Sequence, residues 1–295
     1  MASIPSPRAS GHTTSTPLPL YWVAYGPPNR DRLLVLHGGP GAHHDYLLPQ
    51  MLRLAESREI ILYDQRGGGR SKTDDRTPIT WRTHVDDLAL VVRELGLDPL
   101  IIVGYSWGGL LALLYAIESE RTGGAVVSPE RLVLIDPGPI TRQFRQQFEA
   151  EFASRQSGEA VQRLRAELTA SGMRERDPEA YRQRLFELGV AGYFADPTRA
   201  HDLTPFRVTG RVQQSVWDSL ADFDLRPDLT RVRVPTLILH GRQDPIPLAS
   251  AQALEQALPN ARLVVLENSG HVPYVEAPDA LFDAIEAFLN DRSGA

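Results

Sequence analysis

The segment Gly104-Tyr105-Ser106-Trp107-Gly108 sets a serine midway between two glycines, the spacing of a serine lifted clear of the backbone as a nucleophile. Holding a hydroxyl at the tip of a strand requires a strained conformation at residue 106. Side chains two positions to either side would then strike the adjoining strand and helix. Four apolar, β-prone residues, Leu100 to Val103, run into the turn, and an apolar helix-forming stretch reaching Tyr115 leaves it. The helix start would turn unpaired N–H groups and a positive dipole end toward a developing oxyanion. In a chain with 23 glycines the bare spacing is unremarkable, so its place between strand and helix carries the assignment.

A serine nucleophile needs a base, and the base needs an orienting carboxylate. Among the eight histidines, His12 falls in the N-terminal stretch, His84 on a helix, and His240 at a strand end with its side chain expected inside. His271 follows a strand and the loop Asn268-Ser269-Gly270, where an exposed, mobile imidazole would reach the serine. Asp244 stands one strand earlier on the same rim, and Asp136, after the preceding strand, is its rival. Two backbone donors are also needed. Trp107 supplies the N–H after the nucleophile, and the loop His37-Gly38-Gly39-Pro40 brings bare backbone to the same point. Gly39 is the choice there, because Pro40 has no N–H.

The elements that must position these residues are legible from hydrophobic pattern. Short apolar runs at Leu20 to Tyr25, Leu33 to Leu36, Glu59 to Tyr63, Leu100 to Val103 and Leu132 to Ile135 read as strands. A turn is expected at Gly26-Pro27-Pro28-Asn29. Leu47 to Leu54 reads as a helix, as does Thr80 to Leu95, with Thr80 as N-cap and Gly96 as the stop. Strands alternating with helices imply βαβ units and a parallel sheet, whose site lies at the carboxyl ends of the strands. His37, Asp64, Ser106 and Asp136 all follow strand ends. From about Ile140 to Phe223 the rhythm breaks into charged helical sequence. It resumes with a strand at Val234 to His240, a helix at Leu248 to Leu258, a strand at Leu263 to Leu266 and a final helix at Ala280 to Leu289.

Composition narrows the class. The chain has 295 residues, 42% hydrophobic and 23% charged, with a net charge of −6. That is an ordinary globular balance, with no basic surface for nucleic acid. Lys72 is the sole lysine, which we read as compositional bias, not as a phosphate site. The absence of cysteine excludes disulfides, thiolate metal sites and cysteine nucleophiles. The first 17 residues, rich in Ser, Thr and Pro, read as a disordered tail without the apolar region of a signal peptide, and no stretch is long enough to span a bilayer. His43-His44-Asp45 lacks the face-sharing spacing of a helical metal site. The glycines after Asp64 match neither a phosphate loop nor a dinucleotide fingerprint. No metal or cofactor is expected, no nucleic-acid or membrane partner, and a cytoplasmic location.

The segments HGGPG (37 to 41), DQRGGGRS (64 to 71), GYSWGG (104 to 109), GRQD (241 to 244) and SGH (269 to 271) together resemble the proline iminopeptidase branch of the α/β-hydrolase superfamily. The chain order Ser106, Asp244, His271 is the order of that fold's triad. The resemblance implies an α/β-hydrolase fold, a mostly parallel central sheet flanked by helices, with core residues 18–138 and 226–295 and an inserted helical cap at 139–225. It implies that Ser106, Asp244 and His271 are catalytic and that Gly39 and Trp107 form the oxyanion hole. Residues 64 to 71 would shape the loop beneath the site without taking a chemical step. The sequence departs from the branch in having Tyr105 where a glycine is usual. The branch's cap carries a tryptophan and glutamate cluster for the peptide's free amino terminus. This cap offers one tryptophan, Trp217, followed by Asp218, as candidate substrate residues. The expected activity is acyl-enzyme hydrolysis releasing N-terminal residues, proline favoured, from short peptides. Alternatives are a carboxylesterase or lactonase with the same triad, and a ligand-binding relative without turnover.

Overall fold

The computed structural model describes residues 4–28 and 32–291. Its strands are β1 (Ala9–His12), β2 (Tyr21–Tyr25), β3 (Arg32–Leu36), β4 (Glu59–Tyr63), β5 (Leu100–Tyr105), β6 (Pro129–Ile135), β7 (Thr236–Gly241) and β8 (Ala261–Leu266). They form one sheet in the order β1-β2-β4-β3-β5-β6-β7-β8. β2 runs antiparallel to β1 and β4, and the other neighbours are parallel. Alternate residues of the central strands enter two separate cores. Leu34, Leu36, Ile102 and Leu134 face one, and Leu33, Val35, Val103 and Val133 face the other. Burial on both faces is why these strands read as unbroken apolar runs.

Helices α1 (Trp81–Glu94) and α2 (Trp107–Thr122) cover the first face. Thr80 caps α1 by accepting from the Thr83 N–H, as its sequence predicts. Between β6 and β7 come α3 (Arg142–Ser157), α4 (Glu159–Ala170), α5 (Met173–Arg176), α6 (Pro178–Val190) and α7 (Gly210–Ser219). This insertion leaves and returns at one place, where Thr141 bridges Asp224 and the Leu225 N–H donates to the Ile140 carbonyl. The short α8 (Arg226–Leu229) precedes β7, α9 (Leu248–Ala257) joins the first face, and α10 (Pro273–Glu276) and α11 (Pro278–Asn290) cover the second. No described helix is long and apolar enough to cross a membrane.

Two expectations need correction. The N-terminal stretch is not a disordered tail over its described part: Ala9–His12 pairs with β2, and the N–H groups of Thr14 and Ser15 donate to the Glu94 carboxylate at 2.7 and 2.8 Å. Backbone groups bind it to the sheet edge, so its polar composition carried no sign of order. Leu47 to Leu54 is not one α-helix but parts of two 3₁₀ segments, His44–Leu47 and Gln50–Glu56. Pro49 separates them and holds Leu48 extended. Asn29 of the expected turn, residues 1–3 of the stretch and the last four residues lie outside the described ones.

Candidate active site

Ser106 closes β5 and opens α2 at φ 53° and ψ −119°, a conformation that costs about 1–3 kcal/mol. Its neighbours hold it there. The Ser106 N–H donates to the Ile135 carbonyl at 2.9 Å, and its own carbonyl accepts from Gly109, Leu110 and Gly138. A Cβ on Gly104 would lie 2.5 Å from the Gly108 carbonyl oxygen, and one on Gly108 2.2 Å from that of Leu36. The two glycines flanking the serine are therefore fixed by contact with backbone.

His271 brings Nε2 to 2.9 Å from the Ser106 hydroxyl, while Nδ1 lies 2.8 Å from Asp244 Oδ2. Asp244 accepts a further bond on Oδ1 from the Ile246 N–H at 2.7 Å. With Nδ1–H directed at a carboxylate, Nε2 keeps its lone pair for the serine proton. The imidazole is not the exposed group expected from its loop. It is 4% exposed and enclosed by the rings of Tyr193 and Tyr105 at 5.2 and 5.4 Å, and the backbone N–H of His271 donates to the Tyr193 carbonyl at 2.7 Å. Burial pulls His271 down to about 4 and pushes Asp244 up to about 7.

Asp136, the rival acid, sits beside this pair, and Asp136, Asp244 and His271 each place a ligand-type atom within 4.8 Å of the others. Asp136 Oδ1 accepts from the Gly241 N–H at 2.8 Å. His240 directs its Nε2–H at the Ile246 carbonyl, so its Nδ1 lone pair faces Asp136 Oδ1 at 3.4 Å. A neutral carboxyl relieves that repulsion, and burial, with the Asp244 charge second, pushes Asp136 well above the usual range. The three atoms resemble a metal cluster, but His271 Nδ1 and Asp244 Oδ2 are already spent on each other. The His44 Nδ1 of the His43-His44-Asp45 stretch is bound to Asp64 Oδ1 at 2.7 Å.

Gly39 and Trp107, the expected oxyanion donors, line the same cavity as the serine. Gly38 donates its N–H to the Tyr46 hydroxyl at 2.7 Å, and Pro40 has none. Among the described residues, no acceptor takes the N–H of Gly39 or of Trp107. Gln65, within the stretch expected to shape the loop beneath the site, joins their segments. The Gln65 side-chain amide donates to the His37 carbonyl at 2.9 Å and accepts from the Trp107 indole at 2.8 Å. The Gln65 backbone N–H donates to His37 Nε2 at 3.1 Å, which fixes the His37 proton on Nδ1 beside the Gly38 carbonyl. Burial lowers His37 to about 4, so it stays neutral in this role. The sequence signals for it were its position just past β4 and its place in the segment DQRGGGRS.

Above the serine lies a cavity of about 100 Å³ whose wall includes Gly39, Trp107, Phe148, Tyr193, Phe206 and Trp217. Trp217, one of the two expected substrate residues, lines this cavity. Asp218 does not: it is exposed, accepts from Gln214 at 2.8 Å and lies outside this cavity. Adjacent helical residues point about 100° apart, so one faces the serine and the next faces solvent.

A family model described as the alpha/beta hydrolase fold matches residues 31–278. The chain is 30% identical over 268 residues to a proline iminopeptidase of Levilactobacillus brevis, covering 84% of each chain. It is 26% identical to one of Clostridium botulinum, covering 89% of this chain and 90% of that one. A solved proline iminopeptidase structure from Mycobacterium smegmatis superposes with a TM-score of 0.68 at 21% identity, covering 95% of this chain and 97% of that one.

Proposed function

This chain belongs to the α/β-hydrolase fold family, in its proline iminopeptidase branch, and from that premise we propose that it is a serine hydrolase working through an acyl-enzyme. The observation that carries the reading is the unbroken line from Asp244 through His271 to Ser106, beside two N–H groups with no other acceptor. His271 Nε2 takes the hydroxyl proton as Ser106 Oγ bonds to the substrate carbonyl carbon. The oxyanion rests on the Gly39 and Trp107 N–H groups, each donor contributing about 3–4 kcal/mol in the transition state. The bond to the amine or alcohol then breaks, and His271 returns the proton to that leaving group. Water, activated by the same imidazole, releases the acid and restores the hydroxyl.

The names of the relatives support a small peptide as substrate, with release of an N-terminal residue, proline favoured. A specific observation favours an ester or lactone instead: among the described residues, no acidic side chain lines the cavity. A fluorophosphonate probe tests the chemistry without knowledge of the substrate. It should label the wild-type protein and leave Ser106→Ala unlabelled, and turnover of any substrate found should fall roughly a million-fold in that variant. A wild type that resists the probe would favour a binding protein without turnover.

A further inference from the structure

The cavity over Ser106 is neutral at every group that could face a substrate. Its polar side chains are the serine, His271, Gln213 and four tyrosines. Burial holds His271 down at about 4 and pushes the Tyr193 hydroxyl up to about 12, with those of Tyr46, Tyr105 and Tyr274 also raised, so none carries charge near neutrality. Of the acids near the wall, Asp244 accepts from His271 and Ile246, Glu276 accepts from Gly270 and Ala195, and the exposed Glu149 is paired with Arg145. Asp136 accepts from Gly241, and burial pushes its carboxyl well above the usual range, which favours its neutral form.

The tryptophan face in the cavity wall, the ring type that best attracts a cation, is also taken. The Arg145 guanidinium covers the Trp217 ring at 4.0 Å from its centroid, and Trp107 packs against the same ring edge-on at 5.5 Å. An ammonium entering here would lose its water, find no carboxylate, and meet Arg145 behind the ring best suited to hold it. An apolar acyl chain gives up no hydration of a charge, and a space of about 100 Å³ suits a short one.

Resting on the serine hydrolase reading above, we propose that the acyl half of the substrate is short, apolar and uncharged: the site takes esters, lactones or N-blocked amides and rejects acyl groups that bear a free ammonium. Phe206 and Val208 border both this cavity and a wide charged cleft that includes Lys72, Arg182 and Arg207. The leaving half has that open side for its polar groups.

The test compares proline arylamide, its N-acetyl twin and a short-chain nitrophenyl ester on the wild-type protein. For compounds that are not turned over, the readout is protection of Ser106 from a fluorophosphonate probe. The ester and the acetylated compound should exceed the free amine by about 100-fold or more in kcat/KM or in protection. Whatever activity the free amine shows should rise with pH through its own pKa, near 8 for an α-amino group, because only the neutral form fits. A free amine that is preferred over its acetylated twin, with a rate that falls as pH rises through that pKa, overturns the proposal. Failure of the hydrolase reading looks different: Ser106 resists the probe with no competitor present, and the proposal falls with it.

Discussion

Gln65→Leu separates the geometry of the oxyanion site from the presence of its parts. The substitution keeps the bulk of the side chain but leaves the His37 carbonyl and the Trp107 indole N–H without partners, both of them buried. Each orphaned group costs about 1–3 kcal/mol, so the folded state should lose about 2–6 kcal/mol. At roughly 2–3 °C per kcal/mol for a chain of this size, Tm should fall by about 5–15 °C. The catalytic consequence is separate. Gln65 ties the segment carrying Gly39 to the residue carrying the second donor, so its loss loosens the distance between the two N–H groups. Outright removal of one donor costs about 10²–10³ in kcat, which sets the ceiling; a loosened pair should cost about 10–100-fold, with KM within about threefold. Gln65→Glu retains the acceptor for the indole but sets a buried carboxylate oxygen against the His37 carbonyl, so at neutral pH it should be at least as impaired as Gln65→Leu. The assay is steady-state turnover on whichever ester or arylamide the wild type accepts, paired with inhibition by a trifluoromethyl ketone that forms an oxyanion on Ser106. Inhibitor affinity and kcat should fall together across the variants. A Gln65→Leu protein with lowered Tm and unchanged kcat would refute the reasoning, since it would show that packing alone holds the donors.

Asp244→Asn should lower kcat by about 10⁴, because the amide turns the imidazole to the wrong tautomer, whereas Asp136→Asn should cost less than about tenfold; the opposite ranking in the same assay would make Asp136 the orienting acid. The pH profile of kcat/KM for an ester should rise as pH climbs through about 4 and on to about 7, then level, since His271 and Asp244 must both lose protons before they act. A decline between pH 5 and 7 would contradict that assignment. Gly108→Ala should yield little folded protein, because the new Cβ would overlap the Leu36 carbonyl, and circular dichroism of the purified chain, where any is obtained, checks it.

What the sequence made legible is what local chemistry dictates. The runs Leu33 to Leu36 and Leu132 to Ile135 announce strands because burial on both faces demands apolar residues at every position. The serine turn was legible because two backbone approaches below 3 Å admit only glycine at positions 104 and 108. Thr80 was legible because a cap acts within one turn of its own helix. The cap is decided by residues adjacent in the chain, the strands by burial so complete that any neighbour serves, and the turn by a glycine spacing that shows locally even though Gly108 packs on the distant Leu36 carbonyl.

The features that escaped depend on partners far along the chain. β1 is held by the backbone of β2 and by Glu94, 80 residues away from Thr14, and no side-chain pattern encodes a backbone bond. His271 is buried by Tyr193, a residue of the insertion, and only the closed structure shows that this loop has no solvent above it. Gln65 binds residues 28 positions before it and 42 after it, so its role exists only once β3, β4 and β5 lie side by side. The same reasoning assigns chemistry and selectivity to different parts of the chain. Strand ends position Ser106, Asp244 and His271, the residues proposed as nucleophile, acid and base, and the fold constrains those ends tightly. The insertion supplies Phe148, Tyr193, Phe206 and Trp217, and nothing in the sheet constrains them. Relatives can therefore keep the first set and change the second, which is why a shared fold here is stronger evidence for the reaction than for the acyl group it acts upon.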